Sequence, residues 1–177
     1  MDVGAGDGGY VLHRARTEPT TFAFAIDASP DALASGAWRA KRADLANAAF
    51  LVEGVERLPT ELESLADEVT IHFPWGSLLR GLVGGSSAIL RPIARLQKPG
   101  GELGVLLSAT DRDGVGEVTP AAVLALARAY GEHGLRLIEA EWATTEIIAA
   151  SRSAWAKRLA VGRTRRAVGA RYRREAT

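Results

Sequence analysis

At 177 residues, 47% hydrophobic and 24% charged, the chain has an ordinary globular composition and enough length for one domain with its own core. It holds no cysteine, which excludes disulfides, thiolate catalysis and cysteine-based zinc sites, and its three histidines (His13, His72, His133) lack ligand spacing, so no metal is expected. Net charge is +1, no run approaches the roughly eighteen apolar residues of a membrane span, and the acidic, Gly-rich N-terminus is unlike a signal peptide; the expected location is the cytoplasm.

The chain opens on the loop DVGAGDGG, Asp2 to Gly9, of the kind that follows the first strand of an α/β fold, yet only Met1 to Val3 remain of that strand. This reads as a fragment or as a start assigned too late. The missing half-strand would bare the edges of its neighbours, predicting poor solubility and weakened activity. A helix, Tyr10 to Arg16, comes next, then a short apolar strand, Phe22 to Ile26, and a helix from Pro30 to Arg42. Further strands are predicted over Ala49–Val52, Asp67–Phe73 and, after the Pro99-Gly100-Gly101 turn, Glu102–Ser108. Apolar residues then repeat at helical spacing from Thr119, the expected N-cap, to His133, and Leu135 to Trp142 reads as a strand. Strands alternating with helices predict a doubly wound, mostly parallel sheet in a single domain, 1–177.

The glycine loop carries the first chemistry. Gly4, Gly6 and Gly8 permit positive φ and close backbone approach, and the following helix aims its first amides at a ligand. The loop reads G-A-G-D-G-G with Asp2 before it and Asp7 within it, two carboxylates that would repel a pyrophosphate, so S-adenosylmethionine (SAM), with its cationic amino-acid moiety, suits the loop better than NAD. Asp27, ending the second strand in FAIDAS about twenty residues on, is placed to accept both ribose hydroxyls; the competing role is N-cap of the next helix. In VEGVERLP, Val55 and Glu56 fall where adenine would lie, although Glu56 reads equally well as a surface charge.

The stretch VTIHFPWGSLLRG, 69–81, ends its strand at Pro74 and presents Trp75 at the mouth of the sheet, as core filler or as a platform for substrate. Enzymes that methylate an exocyclic amine commonly carry an amide or acid, two prolines and an aromatic here; this chain has His72-Phe73-Pro74-Trp75, without the amide acceptor. Adenine N1 has an in-plane lone pair and no hydrogen to lose, so it needs positioning and no general base. Charge is concentrated late in the chain: residues 151–174 hold nine of the 22 basic residues and no acid. That run is either a solvated face or a polyanion contact, and Arg39, Lys41 and Arg42 form a second, smaller group. Trp38 and Trp142 are assigned to packing.

Taken together, DVGAGDG, AIDA, VERLP, FPWGSLLRG and SAWAKRLAVGRTR resemble the aminoglycoside-resistance 16S rRNA methyltransferases, of the kanamycin and apramycin type, that modify N1 of adenine 1408 in the decoding site. The resemblance spans nearly the whole chain. It implies a Rossmann-like class I methyltransferase with seven strands, the last roughly Arg166 to Arg173 and antiparallel. It also implies a cofactor pocket of Asp2, Gly4, Gly6, Tyr10, Asp27, Val55, Glu56, His72, Ser77 and Ser153 for SAM. Trp75 and Trp155 match two tryptophans that stack on the flipped adenine, with Trp155 on a linker before the last strand. Arg158, Arg163 and Arg165 match phosphate-gripping residues within a basic segment, 143–165, and Arg39, Lys41 and Arg42 lie in a region basic in relatives. The implied partner is the 30S subunit, engaged by a monomer. A small-molecule methyltransferase of this fold, or an inactive RNA-binding fragment, are the alternatives.

Overall fold

The computed structural model describes residues 1–158, 160–162 and 165–176. Seven strands form one sheet: β1 (Asp2–Val3), β2 (Ala23–Asp27), β3 (Ala48–Val52), β4 (Ala66–His72), β5 (Gln97–Leu107), β6 (Leu135–Trp142) and β7 (Val168–Arg174), in the order β3-β2-β1-β4-β5-β7-β6. β1 to β5 run parallel, whereas β7 lies antiparallel between β5 and β6. The strand order reverses direction at β1 and β4, so their C-terminal ends open a crevice of the kind that holds ligands in open α/β sheets.

Alternation along β2 divides the two faces. Ala23 and Ala25 bury against Val11 and Ala15 of α1 (Gly9–Thr17) and Leu33 of α2 (Pro30–Arg42), while Phe24 and Ile26 point into the opposite and larger cluster. That cluster takes the apolar faces of α3 (Gly76–Val83) and α4 (Ser87–Leu96), including Leu79, Leu82, Leu90 and Ile93. It extends to Val123 of α5 (Pro120–Ala125) and Tyr130 of α6 (Ala127–Gly131), whose ring stacks on Tyr172 of β7 at 4.4 Å. Ser29 and Thr119 cap their helices as side-chain acceptors, each followed by proline at the first helical position.

Several boundaries depart from the sequence reading. The helix from Thr119 to His133 breaks at Leu126 into α5 and α6. Pro99-Gly100-Gly101 does not precede β5 but lies within it, as a bulge with Gly100 at φ 80° that shifts the register between Ala66 and Glu68. The segment before β7 is not plain linker: it contains α7 (Thr145–Ala150) and α8 (Ala154–Arg158), and Trp155 rides on α8.

β1 contributes only two paired residues, Asp2 with Ala25 and Thr70, and Val3 with Ile26. Behind it, at the N-terminal ends of β2 and β4, lies a groove of about 580 Å³ bordered by Met1, Arg14, Phe22, Phe24, Leu62 and Leu65. Phe22 and Leu65 are 63% and 54% exposed along it.

Candidate active site

The glycine loop turns at the C-terminal end of β1 through Gly4, Gly6 and Gly8, at φ 71°, 57° and 69°. Ile26 O accepts from the amides of Gly4 and Ala5, and Asp27 ties the loop to β2: its Oδ2 accepts from Gly6 N at 2.7 Å and its Oδ1 from Ser29 N at 2.8 Å. Each oxygen keeps a lone pair for a further donor. A third tie comes from α2, where a Cβ at Gly36 would sit 2.6 Å from Asp7 O and 2.9 Å from Phe50 Cε1, so helix and loop touch without a side chain between them. Arg39 completes the hold, donating to Asp7 Oδ2 at 2.9 Å and to Asp7 O. Arg39 therefore shapes the loop, and Lys41 and Arg42 are the basic residues exposed on that helix.

Two lobes open along the strand ends and share Gly4, Asp27 and Trp75. The first, about 180 Å³, is lined by Val3, Val55, Glu56, Ser77 and Leu78, a mostly apolar slot with Asp27 at its entrance. The second, about 80 Å³, holds Asp2, Gly6, Tyr10, His72, Ser153 and Trp155. Every cofactor-pocket residue named from the sequence borders one lobe or the other. The donor set fits SAM: apolar walls for adenine, a carboxylate with spare lone pairs for ribose, and the buried Asp2 carboxylate for an ammonium. A run of single-letter residues could not reveal Gly36 or Glu53, which also borders the first lobe; the one signal was a glycine inside a helix, a placement that costs about 1 kcal/mol unless packing needs it.

Around the second lobe Asp2 is 3% exposed, and its Oδ1 accepts from Thr70 Oγ1 at 2.7 Å. His72 Nδ1 stands 3.3 Å from the same oxygen, too poorly aligned for a hydrogen bond, and is buried without one. The Tyr10 ring meets the His72 ring edge-on, centroids 4.5 Å apart at 75°, and its hydroxyl accepts from Arg14 Nη1 at 2.7 Å. Burial and the neighbouring Glu68 carboxylate raise the Tyr10 pKa, keeping it a neutral phenol. Burial alone would lower Arg14, but hydrogen bonds to Glu68, Tyr10 and Glu18 outweigh it and hold the guanidinium charged.

Trp75 is 67% exposed, which removes the core-filler reading, and Trp155 is 37% exposed. Their ring centroids lie 6.3 Å apart with planes tilted by 31°. What aligns them is Phe73, in the left-handed region at φ 53° and buried with Leu106, Ile148, Ala156 and Val161, the small core on which α7 and α8 rest. Ser153 Oγ accepts from Ala156 N at 3.1 Å and so caps the helix that carries Trp155.

A family model described as 16S rRNA (adenine(1408)-N(1))-methyltransferase matches residues 1–173. The chain belongs to that family. Its relatives include a protein of that description from Streptoalloteichus tenebrarius, 34% identical with 93% of this chain and 81% of the relative covered. A second, from Escherichia coli, is 28% identical over 93% of this chain and 82% of the relative. Among solved structures, the 16S rRNA methyltransferase KamB is 31% identical with a TM-score of 0.85, covering 99% of this chain and 86% of that one. The antibiotic-resistance methyltransferase Kmr is 30% identical with a TM-score of 0.81 over the same shares. The class I methyltransferase fold read from the sequence is thus the fold of the 16S rRNA methyltransferases.

The basic run of this family member divides in two. On β7, Arg173 pairs with Glu102 at 2.7 Å and Arg171 with Glu139 at 3.1 Å, while Arg174 donates to Ala94 O. Arg158 lies over the Trp155 ring at 5.4 Å and Arg166 over the Trp142 ring at 3.6 Å; Arg152, Lys157, Arg158, Arg165 and Arg166 are exposed, and Arg163 lies outside the described residues. Trp142 packs on the main core as expected, but Trp38 does not pack: it is 58% exposed beneath Arg42, 4.7 Å away. Among the described residues no cluster of acids and histidines is fit to hold a metal, and no helix is long and apolar enough to cross a membrane.

Proposed function

We propose that the protein transfers the methyl group of SAM to N1 of adenine 1408 in 16S rRNA and thereby confers aminoglycoside resistance, the activity of its family. The observation that supports this most directly is the pair of exposed indoles, 6.3 Å apart over the second lobe. Two stacking spacings of about 3.4 Å amount to nearly 7 Å, so a parting of under about 1 Å admits a purine between the rings. Stacking on two faces repays extrusion of the base at about 1 to 3 kcal/mol per contact.

SAM supplies an electrophilic methyl group on a cationic sulfur. Asp27 takes the ribose hydroxyls, Val55 and Leu78 enclose the adenine with Glu56 and Ser77 at the rim, and Asp2 faces the ammonium. The indoles hold the target in line, and since N1 carries no proton, no base is needed. The methylated base is cationic, and Trp75 and Trp155 favour it through their faces. His72, at the position where amine methyltransferases carry an acceptor, is turned to Asp2, which suits a ring nitrogen as the target.

The substrate is the 30S subunit, engaged by a monomer in the cytoplasm. Residues 143–165 grip the rRNA backbone through Arg158, Arg163 and Arg165, with Lys41 and Arg42 on a second contact, by charge and shape. Primer extension on 30S subunits treated with the protein and SAM should stop at the decoding-site adenine. Trp75→Ala and Trp155→Ala should each abolish the stop while SAM affinity changes less than about threefold. No stop with the unaltered protein refutes the reading, and a large loss of SAM affinity in the variants makes the indoles structural.

A further inference from the structure

Resting on the reading of Trp75 and Trp155 as the clamp for the target base, we propose that Arg152 and Gly9 are positioning residues of that reaction, which register the Trp155 helix against the start of α1. The clamp is built from two separate pieces of chain. Trp75 follows β4 closely, whereas Trp155 is carried on α8 and reached only through α7 and the turn Ser151-Arg152-Ser153. The ring spacing of 6.3 Å has to be held across that turn. A Cβ at Gly9, the first residue of α1, would sit 3.1 Å from Arg152 O and 3.9 Å from Arg152 Cβ, so helix and turn meet with only a hydrogen atom between them.

Arg152 stands in the left-handed region at φ 53°, a conformation that persists in a residue other than glycine only where its surroundings impose it. Those surroundings lie on both sides of it. Ser151 is 2% exposed; its Oγ donates to Ile148 O at 2.6 Å and accepts from Ser153 N at 3.3 Å, while Arg152 N donates to Ala149 O at 3.2 Å. Ile148 belongs to the small core around Phe73, and Ser153 caps α8, so the turn joins that core to the helix bearing Trp155. Gly9, Arg152 and both indoles border the second lobe. The residue that opens α1 at the end of the glycine loop thus also fixes where Trp155 stands relative to Trp75. A misplacement of about 1 Å at a reacting group costs up to about a hundredfold in rate.

The test separates the backbone of Arg152 from its side chain. Arg152→Asn and Arg152→Gly lose the guanidinium but keep access to positive φ, whereas Arg152→Val loses both, because a β-branched residue is strongly disfavoured there. With 30S subunits as substrate, kcat should stay within about threefold of the unaltered protein for Asn and Gly and fall about tenfold or more for Val, with SAM affinity within about threefold throughout. Gly9→Ala, which meets the Arg152 carbonyl from the other side, should give the Val result. A second readout needs no substrate: indoles held at a fixed angle couple their ultraviolet transitions into a paired circular-dichroism band, identified as the one that Trp155→Phe removes. That band should persist in Arg152→Asn and vanish in Arg152→Val and Gly9→Ala. Equal loss of kcat in all three Arg152 variants assigns the effect to the guanidinium, a matching loss of SAM affinity assigns the turn to the cofactor pocket, and an unchanged band in Arg152→Val or Gly9→Ala shows that the turn does not set the helix. Each of these overturns the inference while the methylation reading stands. If the unaltered protein methylates no 30S subunit, that reading falls, and this inference with it.

Discussion

A single hydrogen atom at Gly36 sets the position of the glycine loop. In the interior of α2 a glycine is a poor helix former, and its use is the contact it allows: Asp7 O and the Phe50 ring both occupy the space a methyl would need. Phe50 is an end of a side chain and can yield, but the Asp7 carbonyl is backbone, held on the other side by Arg39. Gly36→Ala should therefore push the loop away from α2 and strain the Asp27 bond to Gly6, despite a gain in helix propensity. The expected outcome is a destabilisation of about 1 to 3 kcal/mol, as for an overpacked core position, with SAM affinity reduced at least tenfold. Calorimetric melting and a SAM titration check it; a variant that melts higher than the parent and binds SAM normally would show that the loop has room. Phe73 is the opposite case, a bulky residue at positive φ whose strain is offset by its burial under α7 and α8.

At the scale of elements, the parts legible in the sequence are those with a local signature. Pro30–Arg42 and Leu135–Trp142, read from the alternation of strands and helices, match α2 and β6, although the helix is capped by Ser29 and not by Asp27. The Gly loop and Asp27 pointed to one strand-end cleft because their spacing lies within a single β1-α1-β2 unit. The break at Leu126, the bulge at Gly100 and the helices α7 and α8 were not legible, since each depends on packing against strands distant in sequence. β1 pairs through Asp2 and Val3, and Thr70 N donates to Met1 O, which continues the ladder with β4. Adding four residues that alternate apolar and polar ahead of Met1 should extend β1 into the groove between β2 and β4. Covering Phe22 and Leu65 should contribute about 1.5 to 3 kcal/mol each if fully buried. The measurable result is a Tm higher by about 4 °C or more and less aggregation on concentration. An extension that leaves both unchanged would mean the groove does not take a strand.

Across the whole molecule a net charge of +1 conceals two populations of arginine with different work. The sequence presents residues 151–174 as one basic run, because pairing partners on neighbouring strands are invisible in it. On β7, Arg173 and Arg171 face Glu102 and Glu139, and the hydrogen bond from Arg173 lowers the Glu102 pKa, with burial opposing. A carboxylate with a lowered folded pKa adds stability above its unfolded value near 4.3, which is lost as pH falls through the folded one. Both partners are partly exposed, so solvent screening limits the pair to less than about 1 kcal/mol. Arg158 and Arg165, by contrast, are exposed, and no salt bridge pairs either of them with an acid among the described residues. The two groups should therefore separate in two assays. Replacing Arg158 and Arg165 by Glu should weaken 30S binding and flatten the slope of log affinity against log salt by about 1.4 to 1.8, two phosphate contacts' worth, with Tm nearly unchanged. Replacing Arg171 and Arg173 by Gln should leave that slope alone and lower Tm slightly at pH 7, a difference that fades below pH ~4 as Glu102 is protonated. If the β7 pair instead carries the salt dependence, the rRNA lies against the face of the sheet at β7 rather than over the tryptophans, and the indole pair loses its substrate.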